Sequence, residues 1–124
     1  MKQKYLNKKI KVDGIIFDSK KEYKRFLELQ KMEEAGEITD LKRQVEFVLI
    51  PAQCEVIERY SEKTGKRLKD GKKTIEQKCS YYADFTYIKN GELIVEDTKG
   101  MRTTDYIIKR KLMLFVHQLK INEI

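Results

Sequence analysis

YYADFTYIKNGELIVEDTKG, residues 81–100, is the stretch from which the fold of this chain is read. Asn90-Gly91 stands between two runs rich in β-branched and aromatic residues. That dipeptide is a strong short-range hairpin signal, because a type I′ turn needs positive φ at both central residues. A two-residue turn pairs residue 89 with 92, and the register then follows outward. Asp84 falls opposite Asp97, in a non-hydrogen-bonded pair with Cα atoms about 4.5 Å apart. Like charges directly opposite destabilise a sheet, so such a pair calls for a cation between the two acids or a proton on one. The same register sets Tyr82 opposite Lys99, Thr86 opposite Val95 and Ile88 opposite Leu93. Asp97 and Lys99 share a face because side chains alternate along a strand, and Glu96 points the other way, beside Phe85. The reverse face is expected to carry Tyr81, Ala83, Phe85, Tyr87 and Ile94. Both faces are partly apolar, which predicts helices covering the sheet on both sides.

Working outward, Asp13-Gly14 between Ile10–Val12 and Ile15–Phe17 reads as a small hairpin. Ser19-Lys-Lys-Glu22 has capping-box spacing, and Gly36 is placed to end the helix that Ser19 opens. Tyr23, Phe26, Leu27 and Leu29 form its apolar stripe. Glu22 sits on the same side, either closing the cap or serving a functional role. Val45–Ile50 is a strand with Pro51 at its end, and residues 81–88 and 93–98 are strands. Thr64-Gly65 and Asp70-Gly71 punctuate a basic loop or hairpin within an insertion over about 51–78. Thr103 or Thr104 caps a second helix running to about His117, with Ile107, Ile108, Leu112 and Phe115 on its buried side. Leu119–Ile121 gives a last short strand. The expected core is an α/β (α+β) domain in the order α-β-β-β-α-β, a mixed central sheet flanked by helices, in one unit spanning 1–124.

The 124 residues carry 27 Lys+Arg against 20 Asp+Glu, a formal net charge of +7. Charged residues make 38% and hydrophobic residues 40%, too apolar for a disordered chain. The longest apolar run, Leu112–Val116, is far short of a membrane span, and the N-terminus shows no signal-peptide core. Cys54, Cys79 and His117 are too few for a closed zinc site, and the cysteines read as reduced thiols of a cytoplasmic protein. The positive charge is clustered: residues 63–78 hold seven cations against two acids, a net of +5, and residues 99–111 a net of +4. With the lysines of residues 2–11, these clusters read either as one groove for a phosphate backbone or as solvated surface.

Two facing carboxylates are hard oxygen ligands and suit Mg²⁺ or Mn²⁺. A metal held by Asp84 and Asp97 beside Lys99 is a device for hydrolysing phosphodiesters; the bland alternative is an Asp–Lys ion pair on an exposed hairpin. Gln44 precedes a core strand and reads as an accessory contact or a turn hydrogen bond. Arg102 and Thr103 stand at a helix N-terminus, where phosphates bind. Lys111 falls between Ile108 and Phe115, reaching a phosphate or snorkelling to solvent.

Asp84, Asp97-Thr98-Lys99 and a preceding helix carrying Glu22, in this element order, resemble the PD-(D/E)XK nuclease superfamily. The chain is similar to small phage and prophage proteins described as Holliday-junction-resolvase-like or of unknown function. The likeness runs through Gly14, Phe17-Asp18-Ser19-Lys20-Lys21-Glu22, Ala35-Gly36-Glu37-Ile38, Leu41, Gln44 and Phe47. It continues through Tyr82-Ala83-Asp84-Phe85 and Asp97-Thr98-Lys99-Gly100 to Lys111 and Phe115. Ala83 stands where the superfamily's named Pro would be. The resemblance implies a restriction-endonuclease-like core and an Mg²⁺-dependent endodeoxyribonuclease. Its catalytic residues would be Glu22, Asp84, Asp97 and Lys99. Glu22, Asp84, Asp97 and the Thr98 carbonyl would hold the metal, and Lys66, Arg67, Lys72, Lys73, Arg102, Thr103, Lys109 and Lys111 would meet DNA. The implied partner is branched DNA, cut by a homodimer without membrane or organic cofactor, in the host cytoplasm if the protein is phage-encoded. The alternatives are a non-catalytic nucleic-acid-binding module and a nuclease of linear DNA or RNA.

Overall fold

The computed structural model describes residues 9–98 and 101–124. In chain order the elements are β1 (Ile10–Val12), β2 (Ile15–Phe17), α1 (Lys20–Glu34), β3 (Thr39–Ile50), β4 (Gln53–Tyr60), β5 (Arg67–Glu76), β6 (Cys79–Lys89), β7 (Glu92–Asp97), α2 (Thr104–His117) and β8 (Ile121–Glu123). The central sheet has the order β3-β6-β7-β8, with antiparallel pairs except for the parallel β7–β8. Set apart from two extra hairpins, β1–β2 and β4–β5, the elements run α-β-β-β-α-β around a mixed sheet.

The turns act as their sequences require. Asn90 and Gly91 take φ of 52° and 79°, and Asp13 and Gly14 take 51° and 80°. Both are positive at the two central positions, as a type I′ turn demands. The β6–β7 ladder runs from Lys89↔Glu92 through Ile88↔Leu93 and Thr86↔Val95 to Phe85↔Glu96, the register read from the sequence. Ser19 Oγ caps α1 by accepting from Glu22 N at 3.2 Å. Gly36, at φ +76°, closes the other end and lets Glu37 N reach Met32 O at 2.9 Å.

One helix lies on each face of the sheet. Leu29 of α1, with Phe26 and Met32, packs on Ile38, Phe85, Tyr87 and Ile94. Tyr106 and Met113 of α2 pack on Leu49, Tyr81, Ala83, Val95 and Ile121. Ile94 and Val95, adjacent in β7, mark the two opposite faces. Three expectations are corrected here. Leu27 is exposed on α1. On α2 the buried positions are Tyr106 and Met113, whereas Ile108 and Phe115 are exposed, Phe115 at 81%. Lys111 is exposed with them.

The sheet departs from the expected alternation as well. Tyr81 and Ala83 face α2, but Phe85 and Tyr87 face α1, so β6 does not keep one alternation. Its neighbour changes face at the same level: Leu41 packs on the α1 side and Phe47 and Leu49 on the α2 side. Register is the same before and after, Arg43↔Phe85 and Val45↔Ala83, so no residue is inserted. The switch falls at the level of Gln44 and Asp84, and Gln44 takes a positive φ of 49° to make it. No described helix is long and apolar enough to cross a membrane.

Candidate metal and catalytic site

The face switch builds the site. Strict alternation would put Asp84 opposite in face to Phe85; the distortion turns Asp84 and Gln44 toward α1 beside Glu22. Carboxylate oxygens of Asp18, Glu22 and Asp84 all lie within 4.8 Å of one another. Gln44 Nε2 donates to Glu22 Oε1 at 3.2 Å and to Asp84 Oδ1 at 3.3 Å, tying the helix acid to the strand acid. Thr98 donates its N–H (2.8 Å) and its hydroxyl (2.7 Å) to Asp84 Oδ2. Asp84 is thus fixed at both oxygens by its neighbours on β3 and at the end of β7.

Glu22 is almost wholly buried, at 1% exposure. Its Oε2 accepts from Asp18 N at 3.1 Å, and Arg43 Nη2 approaches Oε1 at 3.3 Å. Arg43 lies over the Phe17 ring, 4.2 Å from its centroid, and also donates to Ile16 O at 3.1 Å. Burial first, then the charge of Asp84, pushes the Glu22 carboxyl above the ordinary carboxylate range; the Asp18 N–H and Gln44 pull the other way. Counted formally, Asp18, Glu22, Asp84 and Arg43 leave two negative charges. The donors are hard oxygens, Asp18 is exposed, and that set fits a hydrated divalent cation such as Mg²⁺ or Mn²⁺ open to solvent on one side.

Of the residues singled out in the sequence, Glu22, Asp84, Gln44 and Thr98 are brought together. Asp97 is buried at 2% and stands outside the group of three; its Oδ2 accepts from the Tyr81 hydroxyl at 2.6 Å. Lys99 lies outside the described residues. Lys66, Arg67, Lys72 and Lys73 are all on the β4–β5 hairpin, whereas Thr103, Lys109 and Lys111 belong to α2 and its cap. Arg102 is bidentate on Glu123, at 3.1 and 2.9 Å, so the helix-start arginine is already engaged. Lys111 borders a concavity of about 250 Å³ with Arg110, Leu114, Lys120, Ile121 and Glu123, away from the acids. Asp18 and Arg43 were missed. Asp18 sits one residue before the helix cap, and the Phe17-Asp18-Ser19 run carried that signal; Arg43 stands in the same alternation as Leu41, Val45 and Phe47, and nothing in the sequence pairs it with Glu22.

Fold and site together define an α/β domain whose central sheet and first helix hold a compact carboxylate cluster. The chain belongs to a family described as protein of unknown function (DUF1064), whose model matches residues 2–123. No curated protein and no solved structure matches the chain.

Proposed function

We propose that the protein is a metal-dependent nuclease that hydrolyses phosphodiester bonds in DNA, of the PD-(D/E)XK kind, acting in the cytoplasm of its host cell. The observation that supports this most is the meeting of Asp18, Glu22 and Asp84 oxygens within 4.8 Å, braced by Gln44. Glu22, Asp84 and Asp18 would hold an Mg²⁺ or Mn²⁺ ion, with the Thr98 carbonyl and Asp97 as further oxygens at the same sheet end. Bound there, the cation supplies Lewis-acid stabilisation of the phosphoryl oxygens and lowers the pKa of a coordinated water. The chain's own groups do the rest. Gln44 and Thr98 hold Asp84 in one orientation, and Arg43 holds Glu22. Lys99, two residues after Asp97 in sequence, is assigned the task of orienting the attacking water and countering the charge that develops on phosphate. Branched DNA is the proposed substrate, and two sites are needed to cut both strands, which calls for a homodimer.

The test is cleavage of labelled four-way junction, linear duplex, single-stranded DNA and RNA with Mg²⁺ or Mn²⁺, beside Asp84→Asn. Metal-dependent cutting that disappears in the variant is expected. Calorimetry of Asp84→Asn should show Mn²⁺ affinity weakened by at least roughly tenfold, about 1.4 kcal/mol. Unchanged Mn²⁺ affinity in the folded variant would remove Asp84 from the metal site. Tight DNA binding with no cutting under either metal would leave a binding module.

A further inference from the structure

We infer that the β4–β5 hairpin is an arm that grips a nucleic-acid duplex several base pairs away from the acidic cluster. The inference rests on the nuclease reading for what the grip serves, but the binding itself needs no metal. The hairpin continues the β3–β6 pair past Pro51 and Ala52 and forms its own two-stranded sheet. Every residue of β4 is exposed, as is every residue of β5 but Gly71, so no part of the described protein covers the arm. A two-stranded ribbon alone is marginal in water, and a ribbon of this width fits the major groove of B-DNA.

Charge decides among partners. Arg67 is engaged with Asp70 at 2.7 Å and Glu58 at 3.9 Å, so its charge is already shared between two acids. Lys63, Lys66, Lys69, Lys72 and Lys73 make no ion pair among the described residues. Glu55 is the cross-strand partner of Lys73 without closing an ion pair on it. The unpaired cations concentrate at the tip and along β5. A second copy of the chain would bring like charges together there, whereas a phosphate backbone complements them and gains from counterion release. Gly71 helps keep the ribbon slim: a Cβ there would stand 2.7 Å from Arg59 Cδ, so the Arg59 stem lies flat across the opposite strand.

Reach follows from contour length. At about 3.3 Å per residue, the base of the arm lies at most about 30 Å along the strands from Gln44 and Asp84, and the strand ends near the tip at most about 55 Å. At about 3.4 Å per base pair those limits are roughly nine and sixteen base pairs. The arm is therefore long enough to meet a duplex beyond the scissile phosphate.

The experiment measures fluorescence anisotropy of labelled duplexes of roughly 8 and 24 base pairs in EDTA over a range of salt, for the full chain and for a variant with Lys66, Lys69, Lys72 and Lys73 changed to Gln. For the longer duplex we expect at least a roughly tenfold loss of affinity and a salt slope shallower by about 0.9 per lost phosphate contact. The short duplex should bind both proteins alike. Mn²⁺ calorimetry on the same variant should be unchanged, which shows the fold and acidic cluster intact; this separates failure of the arm from failure of the metal site. An unchanged affinity and slope on the longer duplex overturns the inference. So does a change of mass in sedimentation with duplex binding retained, which would make the arm a contact between copies of the chain.

Discussion

Glu22 carries two tasks in one residue. Its backbone N–H completes the Ser19 cap, and its carboxylate, buried at 1% exposure, faces Gln44 and Arg43. The spacing that suggests a cap and the spacing that suggests a site residue are the same spacing; the structure makes the cap through the backbone N–H and leaves the carboxylate facing Gln44 and Arg43. The buried carboxyl binds a proton more readily in the folded chain than in the unfolded one, chiefly because burial penalises its charge. A group raised in this way adds stability below its unfolded value of 4.5, and that contribution is lost as pH rises through the folded value. A divalent cation reverses the penalty, since it favours the ionised form. The rise in Tm on adding Mn²⁺ should therefore be larger at about pH 8 than at about pH 5. In Glu22→Gln that rise should shrink, and the metal-free melting temperature should stop falling across the same pH range. Scanning calorimetry in EDTA and in Mn²⁺ checks both; equal metal-induced shifts at the two pH values in the unaltered protein would separate Glu22 from the cation.

At the scale of elements, local signals and pairwise ones parted company. Asn90-Gly91, Ser19 and Gly36 each act within a few residues, so the β6–β7 register and both ends of α1 were legible. The face switch at Gln44 and Asp84 is made jointly by two strands 40 residues apart in sequence, and no periodicity along one strand contains it. Asp84 reached the acidic cluster through that switch, which is why its meeting with Glu22 and Asp18 was only half foreseen. α2 was misread for a different reason. It carries two apolar stripes, Tyr106–Met113 and Ile108–Phe115, and a helical period fits both. Packing chose the first, because Met113 is wholly buried against the sheet while Phe115 is 81% exposed. Met113→Ala should accordingly cost about 2–5 kcal/mol, the range for deleting a packed core side chain. Phe115→Ala should stay within about 0.5 kcal/mol of the parent. Urea melts of the two variants decide it: a Phe115 variant that loses as much as the Met113 variant would place the second stripe in an interface.

Across the whole molecule, buried tyrosines on both faces of the sheet end beside carboxylates. Tyr81 donates to Asp97 at 2.6 Å on the α2 face. Tyr87 donates to Glu96 on the α1 face, where Arg25 also holds Glu96 through two bonds of 2.7 Å. Tyr106, from α2 itself, has Glu123 of β8 among the groups that push its phenol up. Burial is the largest cause that pushes all three phenols up, with the adjacent carboxylate adding to it, and Tyr87 is pushed up to about 12. The sign follows from linkage. A phenol whose folded value is raised above 10.0 contributes stability that is complete below that pH and is lost as pH climbs through about 12. Alkali should thus unfold the protein and ionise these tyrosines together. Tyrosinate absorbance is expected to show a late, steep rise that coincides with the loss of far-ultraviolet circular dichroism. Tyr87→Phe should reduce that rise and cost about 1–3 kcal/mol at neutral pH, because Glu96 stays buried with one donor fewer. Tyrosinate absorbance that climbs to completion in gradual steps, with the dichroism intact, would show that the three phenols ionise within the folded chain and do not gate its unfolding.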